Sequence, residues 1–228
     1  MKLFLSGGGD AADSRLLDEL FVSNIPADKK SILYIPLAWK SGIYDGCLKW
    51  FTSTFGVLGD FKIEMWTTLD NKTNEDLNDF GAIYIGGGNT YLLLAKLKQS
   101  GFDSLLKNFI DSGGIVYGGS AGAIILGNNI STALIGQDAD ENIVGLTDLS
   151  GLNLINDFAI QCHFQDNQIN EIKAYSVKNK VPIIALPERT GLYIADDQAK
   201  VVGYEPADII QITGEVARVY PGDLLFNH

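Results

Sequence analysis

The sequence predicts an α/β fold in which a doubly wound, mostly parallel sheet is flanked by helices. Two observations carry this prediction. Short apolar runs rich in β-branched residues alternate with amphipathic stretches, and most runs are apolar on both faces, as buried parallel strands are. Beyond Gly191 the pattern changes to short runs separated by Asp-Asp, Gly-Glu and Pro-Gly turns, which are typical of antiparallel hairpins at the end of the sheet.

The alternation can be followed along the chain. In the first half, the predicted strands are residues 3–5, 31–36, 61–65, 82–85 and 114–117. The helices predicted between them are residues 13–22, 44–55, 90–98 and 102–112. A strand at 158–162, a helix at 165–177 and a strand at 182–186 continue the pattern, followed by hairpin strands at 191–194, 200–203, 209–213 and 216–220. Because no linker or repeat interrupts the chain, we expect one domain spanning residues 1–228.

The composition narrows the classes of partner. With 17 Lys and Arg against 28 Asp and Glu, the formal net charge is -11, which disfavours nucleic acid and anionic membranes as partners. The apolar stretch at the N-terminus is too short for a secretory signal, and we find no uninterrupted apolar run long enough for a membrane span. The two cysteines form no CxxC pair. These features predict a cytoplasmic protein.

Three glycine-rich turns each follow a predicted strand and precede a predicted helix, at residues 6–10, 85–90 and 118–123. In an open α/β sheet the carboxyl ends of the strands are where ligands bind. None of the turns has the phosphate-binding pattern of a P-loop, and the first strand is not followed by Gly-x-Gly-x-x-Gly. The first turn is open to two interpretations: a tight turn, or the lining of a pocket that a backbone can approach closely.

The third turn has the pattern of a nucleophile elbow, Gly118-x-Ser120-x-Gly122. A sharp strand-to-helix turn of this kind lifts a serine above the sheet, and the N–H of Ala121 becomes a donor for a developing oxyanion. The alternative is a glycine turn in which the serine only caps the helix. The sequence thus favours Ser120 as a catalytic nucleophile.

The second turn, Gly-Gly-Gly-Asn at residues 86–89, complements the third. It is expected to supply the N–H of Gly88 as a second oxyanion donor, with Gly87 and Asn89 facing the substrate. A cradle for phosphate or carboxylate at the start of the helix is the alternative. Both interpretations place a ligand beside Ser120.

A serine nucleophile needs a base, and the chain has two histidines, His163 and the terminal His228. His163 follows the strand predicted at 158–162, so we expect it at the same edge of the sheet as Ser120. A histidine that is merely hydrogen-bonded at a strand end is the alternative. The triad logic favours His163 as the base.

The acid that orients the histidine is left open by the residues themselves. The polar loop 136–142 contains Asp138, Asp140 and Glu141. Glu188 follows the next predicted strand, where it is placed either to orient the site or to meet a substrate amine.

Four motifs together resemble the S51 serine peptidases, which include dipeptidase E and cyanophycinase: Ile85-Gly86-Gly87-Gly88-Asn89-Thr90, Gly119-Ser120-Ala121-Gly122-Ala123, His163-Phe164 and Leu186-Pro187-Glu188. The resemblance runs in order across most of the chain and implies a fold related to class I glutamine amidotransferases. It also implies Ser120 as nucleophile, His163 as base and the amides of Gly88 and Ala121 as the oxyanion hole. The third catalytic residue of the family lies about twenty-two positions before the histidine, which falls on Glu141, and a one-residue gap would select Asp140 instead.

The resemblance implies a dipeptidase E-like serine peptidase that hydrolyses short peptides through an acyl-enzyme, with no metal or other cofactor. Self-association into a homodimer is left open. An esterase or amidase on the same scaffold, and a non-catalytic module that binds a small anion or peptide, are the alternative functions. One departure concerns the substrate: dipeptidase E has arginines in the helix after the histidine, thought to hold an N-terminal Asp, and here that helix has none. An Asp-X preference is therefore open, with Arg189 or a lysine as candidate substitutes.

Overall fold

The computed structural model describes residues 1–40, 43–136, 139–196 and 198–226. The strands are β1 Lys2–Ser6, β2 Ser31–Ile35, β3 Lys62–Met65, β4 Ala82–Ile85, β5 Ile115–Gly119, β6 Ala159–Gln161, β7 Ile183–Ala185, β8 Thr190–Ala195, β9 Gln198–Gly203, β10 Ala207–Ile210, β11 Val216–Val219 and β12 Leu224–Phe226. The helices are α1 Arg15–Asn24, α2 Tyr44–Gly56, α3 Asn74–Leu77, α4 Thr90–Ser100, α5 Phe102–Asp111, α6 Ala121–Leu126 and α7 Ile169–Asn179. Short 3-10 helices lie at Ser131–Leu134 and Asp166–Gln168.

The larger sheet has the strand order β12-β9-β8-β1-β5-β4-β2-β3. Its five strands from β1 to β3 are parallel, and β2, β4 and β5 are buried along their whole length. Alternate side chains of these strands enter two separate apolar clusters, one against α1 and α2 and the other against α4, α5 and α6. The predicted α/β fold class is confirmed, because helices cover both faces of the parallel strands.

The second sheet has the order β11-β10-β7-β6 and differs from the sequence prediction. Strands β6 and β7 were expected to continue the parallel sheet. Instead, β6 pairs with β7 and β7 pairs with β10, so both belong to the smaller sheet. The position beside β1 is taken by β8, which pairs antiparallel with it over five residues. The apolar pattern of a short strand indicates that it is buried but does not specify its partner, so sheet membership was decided by the tertiary structure.

The predicted hairpins are present, and they divide between the two sheets. β8, β9 and β12 extend the larger sheet as antiparallel strands, whereas β10 and β11 form one side of the smaller sheet. Among the helices of the described residues, none is long and apolar enough to cross a lipid bilayer.

Candidate active site

Ser120 lies in the sharp turn between β5 and α6. Its backbone has φ 50° and ψ −112°, a region that residues with a side chain rarely occupy and that is enriched at active sites. The turn is fixed from both sides, because the N–H of Ser120 donates to the carbonyl of Ser6 at 3.1 Å and the carbonyl of Ser120 accepts from Ala123 at 2.8 Å. A Cβ at Gly122 would collide with the carbonyl oxygen of Ile85. The elbow therefore needs glycine there because α6 starts directly against β4.

His163 reaches this serine from the smaller sheet. It follows β6, and its Nε2 lies 2.8 Å from Oγ of Ser120. The backbone of His163 also has a positive φ, 54°, and its N–H donates to the carbonyl of Gly7 at 2.8 Å. The structure thus brings together the two residues that the sequence predicted as nucleophile and base.

The other imidazole nitrogen meets Glu188. Nδ1 of His163 lies 2.9 Å from Oε1 of Glu188, so the carboxylate accepts a hydrogen bond when the proton is on Nδ1. In that tautomer Nε2 is free to accept the hydroxyl proton of Ser120. The Ser-His-acid arrangement is therefore continuous from Oγ through the imidazole to the carboxylate of Glu188.

The position opposite Nδ1 that the sequence analysis assigned to Glu141 is thus occupied by Glu188. Glu141 has an exposed side chain, and its main-chain carbonyl accepts from Nδ2 of Asn89 at 2.8 Å. Asp140, the second choice, accepts from the N–H of Thr90 at the start of α4 at 2.8 Å. The loop that carries both acids is held by α4, not by the imidazole. Asp138 and His228 lie outside the described residues.

The parallel register of β6 and β7 explains why Glu188 meets His163. Gln161 pairs with Ala185, so the two strands end side by side and the residues that follow them leave at the same edge. Glu188 was recognised in the sequence as an acid after the next strand, but its two possible roles could not be separated. The signal that separates them is the pairing of β6 with β7, which the sequence pattern does not contain.

The first glycine turn, at residues 6–10, is hydrogen-bonded to the turns that carry Ser120 and His163. Ser6 and Gly7 accept hydrogen bonds from the N–H groups of Ser120 and His163, and the N–H of Gly7 donates to the carbonyl of Thr190 at 2.9 Å. Gly8 lies against the imidazole, where a Cβ would come within 2.7 Å of both ring nitrogens. Of the two sequence interpretations of this turn, the structure favours a lining role, since Gly8 is part of the wall behind His163.

The second glycine turn lies beside Ser120. A Cβ on Gly87 would be 3.7 Å from Oγ of Ser120, while Asn89 caps α4 by accepting from the N–H of Leu92 at 2.9 Å. Neither the Gly88 N–H nor the Ala121 N–H donates to another residue in the part of the chain that the structure describes. Both amides are thus available to a ligand, as the first N–H groups of a helix commonly are.

Cys162 lies next to His163 but is buried below the site. Its Sγ is 3.5 Å from the carbonyl oxygen of Ser120 and 3.7 Å from that of Ser6. Burial raises the pKa of this thiol far above its usual range, which disfavours the thiolate form that a cysteine nucleophile needs. Within this site it is the hydroxyl of Ser120 that lies at hydrogen-bond distance from the imidazole.

A cleft of about 1380 Å³ opens over Ser120. Toward β2 its wall is largely apolar and includes Trp39, Ile43 and Trp50. Its lining also includes three acids, Asp140 and Glu141 from the loop held by α4 and Glu171 from α7, a group that we call the acidic wall. The cleft is large enough for a short peptide.

Comparison with known proteins places the chain in a family of peptidases. The model of the family "Peptidase family S51" matches residues 3–202. The "Uncharacterized peptidase Lmo0363" of Listeria monocytogenes is 40% identical over 95 residues, which span 42% of this chain and 44% of that protein, so this match covers less than half of the relative's length. A "Peptidase E" of Shewanella denitrificans is 28% identical over 80% of this chain and 79% of its own, and a "Probable alpha-aspartyl dipeptidase" of Drosophila melanogaster is 24% identical over 92% and 87%.

Solved structures share the fold. A crystal structure from Listeria monocytogenes, described as a candidate peptidase E protein, superposes with a TM-score of 0.70 at 25% identity, covering 90% of this chain and 98% of its own. The crystal structure of a peptidase from an acI-B1 Actinobacterium superposes with a TM-score of 0.74 over 98% of this chain and 96% of its own. At 19% identity, the second similarity concerns the fold alone.

Proposed function

Because this chain belongs to peptidase family S51, we propose that it is a serine peptidase that hydrolyses short peptides through an acyl-enzyme, as a dipeptidase E-like enzyme. The observation that carries the proposal is the continuous hydrogen-bonded arrangement of Ser120, His163 and Glu188. Relatives named peptidase E and alpha-aspartyl dipeptidase support the choice of short peptides as substrates.

In the first half of the reaction, Oγ of Ser120 attacks the peptide carbonyl while Nε2 of His163 takes the hydroxyl proton. The carbonyl oxygen becomes negatively charged and is stabilised by the N–H groups of Gly88 and Ala121. His163 then gives its proton to the leaving amine as the carbon–nitrogen bond breaks, which leaves an acyl group on Ser120. In the second half, water attacks this ester with the same base and the same donors, and the carboxylic acid product leaves.

The acid in this mechanism is Glu188, in place of Glu141. Its carboxylate keeps the proton on Nδ1 and stabilises the imidazolium that forms during attack. All the groups that these steps require are side chains and amides of the chain itself, so the proposal includes no metal or other cofactor. We further propose a cytoplasmic location, in keeping with the free thiols of Cys47 and Cys162. The proposed partner is a short peptide substrate, not nucleic acid or a membrane. Whether two chains form a homodimer is left to a measurement of mass in solution.

The first test is covalent labelling with a fluorophosphonate, read by mass spectrometry. We expect one adduct on the wild-type protein, located at Ser120, and no adduct on Ser120→Ala. Ser53→Ala, a change at an exposed serine on α2, is the matched control and should be labelled like the wild type. The absence of an adduct on a folded wild-type protein would contradict an activated serine.

A second test separates a peptidase from an esterase or amidase on the same scaffold. Dipeptides, amino-acid amides and short-chain esters are offered to the wild type and to Ser120→Ala. We expect hydrolysis of dipeptides that is lost in the variant, by about 10⁵-fold or more in kcat. Hydrolysis of esters or amides without any cleavage of peptides would assign the site to the alternative class.

A further inference from the structure

A cleft that binds an acidic substrate side chain needs positive charge, whereas most of the charged side chains that line this cleft are acidic. Among the described residues that line it, the charged side chains are those of the acidic wall, Glu188 and Lys40. Glu188 is engaged by His163, and Lys40 comes from the connection after β2, on the far side of β4 from the smaller sheet. The acidic wall therefore carries three carboxylates, and none of them forms an ion pair with a lysine or arginine of the described residues.

The arginines of the chain are all used elsewhere. Arg15 pairs with Glu19 on α1, and Arg218 pairs with Asp208 at 2.7 Å in the smaller sheet. Arg189 lies 3.5 Å from Asp13 and stacks 4.8 Å from the ring centre of Tyr204. None of the three lines the cleft, so Arg189 is not placed to bind an acidic substrate side chain.

A second observation is independent of the carboxylates. Gln161 lines the same cleft with 4% of its surface exposed, and its Nε2 donates to the carbonyl of Cys162 at 2.9 Å. Its Oε1 is buried and accepts no hydrogen bond. A buried acceptor without a donor costs about 1–3 kcal/mol, so a ligand that supplies an N–H group is favoured here.

The two faces of the acidic wall lie close to each other. A Cβ on Gly136, just before the loop that carries Asp140 and Glu141, would collide with the side-chain amide of Gln168. Glu171 follows Gln168 by one helical turn, on the same side of α7. The loop and the helix thus approach each other at Gly136 and Gln168, and the acids that they carry, Asp140, Glu141 and Glu171, line the same cleft.

Carboxylates and an amide oxygen are all hydrogen-bond acceptors, and the group that complements them is a cation rich in N–H donors. Building on the serine peptidase function proposed above, we propose that the acidic wall and Gln161 form a subsite for a Lys or Arg side chain next to the scissile bond. The substrate class is then a short basic peptide, not an Asp-X dipeptide.

The test measures binding apart from catalysis, on the full-length Ser120→Ala protein by isothermal titration calorimetry. The ligands are two matched pairs of dipeptides, Lys-Ala with norleucine-Ala and Ala-Lys with Ala-norleucine. Norleucine has a side chain of similar length to lysine but carries no charge. Asp-Ala is the acidic comparison. We expect one lysine peptide to bind about threefold to tenfold more tightly than its norleucine partner, and this preference to shrink as salt is raised.

Variants of the wall then locate the effect. On the Ser120→Ala background, Glu171→Gln should reduce the ratio of lysine to norleucine affinity by about twofold or more, whereas Glu75→Gln, at an exposed position on α3 outside the cleft, should not. Gln161→Met should also reduce the ratio, and Glu171→Gln keeps the test decisive if the buried substitution disturbs the fold.

The outcomes separate this inference from the function on which it rests. Equal binding of lysine and norleucine peptides, no detectable binding of either, or tighter binding of Asp-Ala would overturn the basic subsite. Hydrolysis of the norleucine peptides by the wild type, lost in Ser120→Ala, would still uphold the peptidase. No hydrolysis of any peptide, with no adduct at Ser120, would instead contradict the proposed function.

Discussion

The turn that carries Ser120 and the turns that carry His163 and Glu188 are built in different ways. Ser120 lies between β5 and α6, both of which are buried along their whole length. His163 and Glu188 leave short strands of the smaller sheet, with 40% and 53% of their side chains exposed. The nucleophile is thus positioned by the core of the larger sheet, whereas the base and acid are positioned by hydrogen bonds between turns.

This difference indicates where the site is most easily disturbed. The end of β1 and the turn after it connect the elbow to the smaller sheet, because the carbonyl of Ser6 accepts from Ser120 and that of Gly7 accepts from His163. A small change in that turn or at Glu188 should misplace the imidazole and leave the elbow intact. Four changes test this contrast.

The largest effect is expected for Glu188→Gln. The amide cannot stabilise the imidazolium and lets the imidazole adopt the wrong tautomer, so kcat should fall by about 10²–10⁴-fold. Glu141→Gln, the matched change at the acid first assigned from the sequence, should lower kcat by less than about tenfold. Steady-state kinetics on a common dipeptide measures both, and a larger loss for Glu141→Gln would return the acid role to that loop.

The next effect is expected for Gly8→Ala. The residue has φ 119°, and an added Cβ would collide with the imidazole, so the ring must shift. A displacement near 1 Å typically costs about 10²-fold in kcat. The control is Gly56→Ala on α2, where an added Cβ meets no atom within 4 Å. Near-normal turnover by Gly8→Ala would show that the turn does not position His163.

Arg218→Met tests how strongly the smaller sheet depends on Arg218, which pairs with Asp208 in that sheet and with Asp166 at 2.6 Å. The carboxylate of Asp208 is 2% exposed and accepts from Nε and Nη2 of Arg218 at 2.7 and 2.8 Å. Because Arg218 is partly exposed, we expect a loss of about 2 kcal/mol in the free energy of unfolding, below the value for a fully buried pair. Arg15→Met, which breaks an exposed pair on α1, should change it by at most about 0.5 kcal/mol. Equal urea midpoints for the two variants would contradict a structural role for Arg218.

An effect of opposite sign, confined to higher pH, is expected for Asp18→Asn, next to the strand that leads to Ser120. Burial raises the pKa of Asp18 to about 6, although its carboxylate accepts from the hydroxyl groups of Tyr117 and Ser14 at 2.7 and 2.8 Å. With the folded pKa above the unfolded one, ionisation destabilises the fold as pH rises from about 4 to above 6. The amide oxygen can accept from Tyr117 and the amide NH2 can donate to the Ser14 hydroxyl, without a buried charge. The variant should therefore gain about 1–3 kcal/mol at pH near 8 and little at pH near 4.

The control for this pH dependence is Asp76→Asn. Hydrogen bonds from Thr73 lower the pKa of the exposed Asp76 carboxyl, so its contribution is present at neutral pH and is lost as pH falls. At neutral pH, Asp18→Asn should therefore raise the urea midpoint and Asp76→Asn should lower it. A gain for Asp18→Asn that did not depend on pH would show that its cause is not the buried charge.

The sequence by itself determined the fold class and singled out Ser120, the nucleophile that we propose. Strands β1 to β5 and the helices α1, α2, α4 and α5 were predicted within a few residues, because burial on one or both faces leaves a local apolar pattern, whereas the one-turn helix α3 was not predicted. The elbow was recognised because the close approach of α6 to β4 requires glycine at Gly122, within two residues of Ser120. These constraints act over short distances along the chain, and so they are visible in the order of the residues.

Only the tertiary structure decided the acid and the sheet that carries the base. Glu141 and Glu188 are both acids in polar turns, and the choice between them depends on the pairing of β6 with β7 beside the larger sheet. Strand pairing is settled by packing between residues far apart in sequence, so no local pattern records it. For the same reason the sequence left the role of Gly8 open, since the imidazole that it touches is 155 residues further along the chain (163 minus 8).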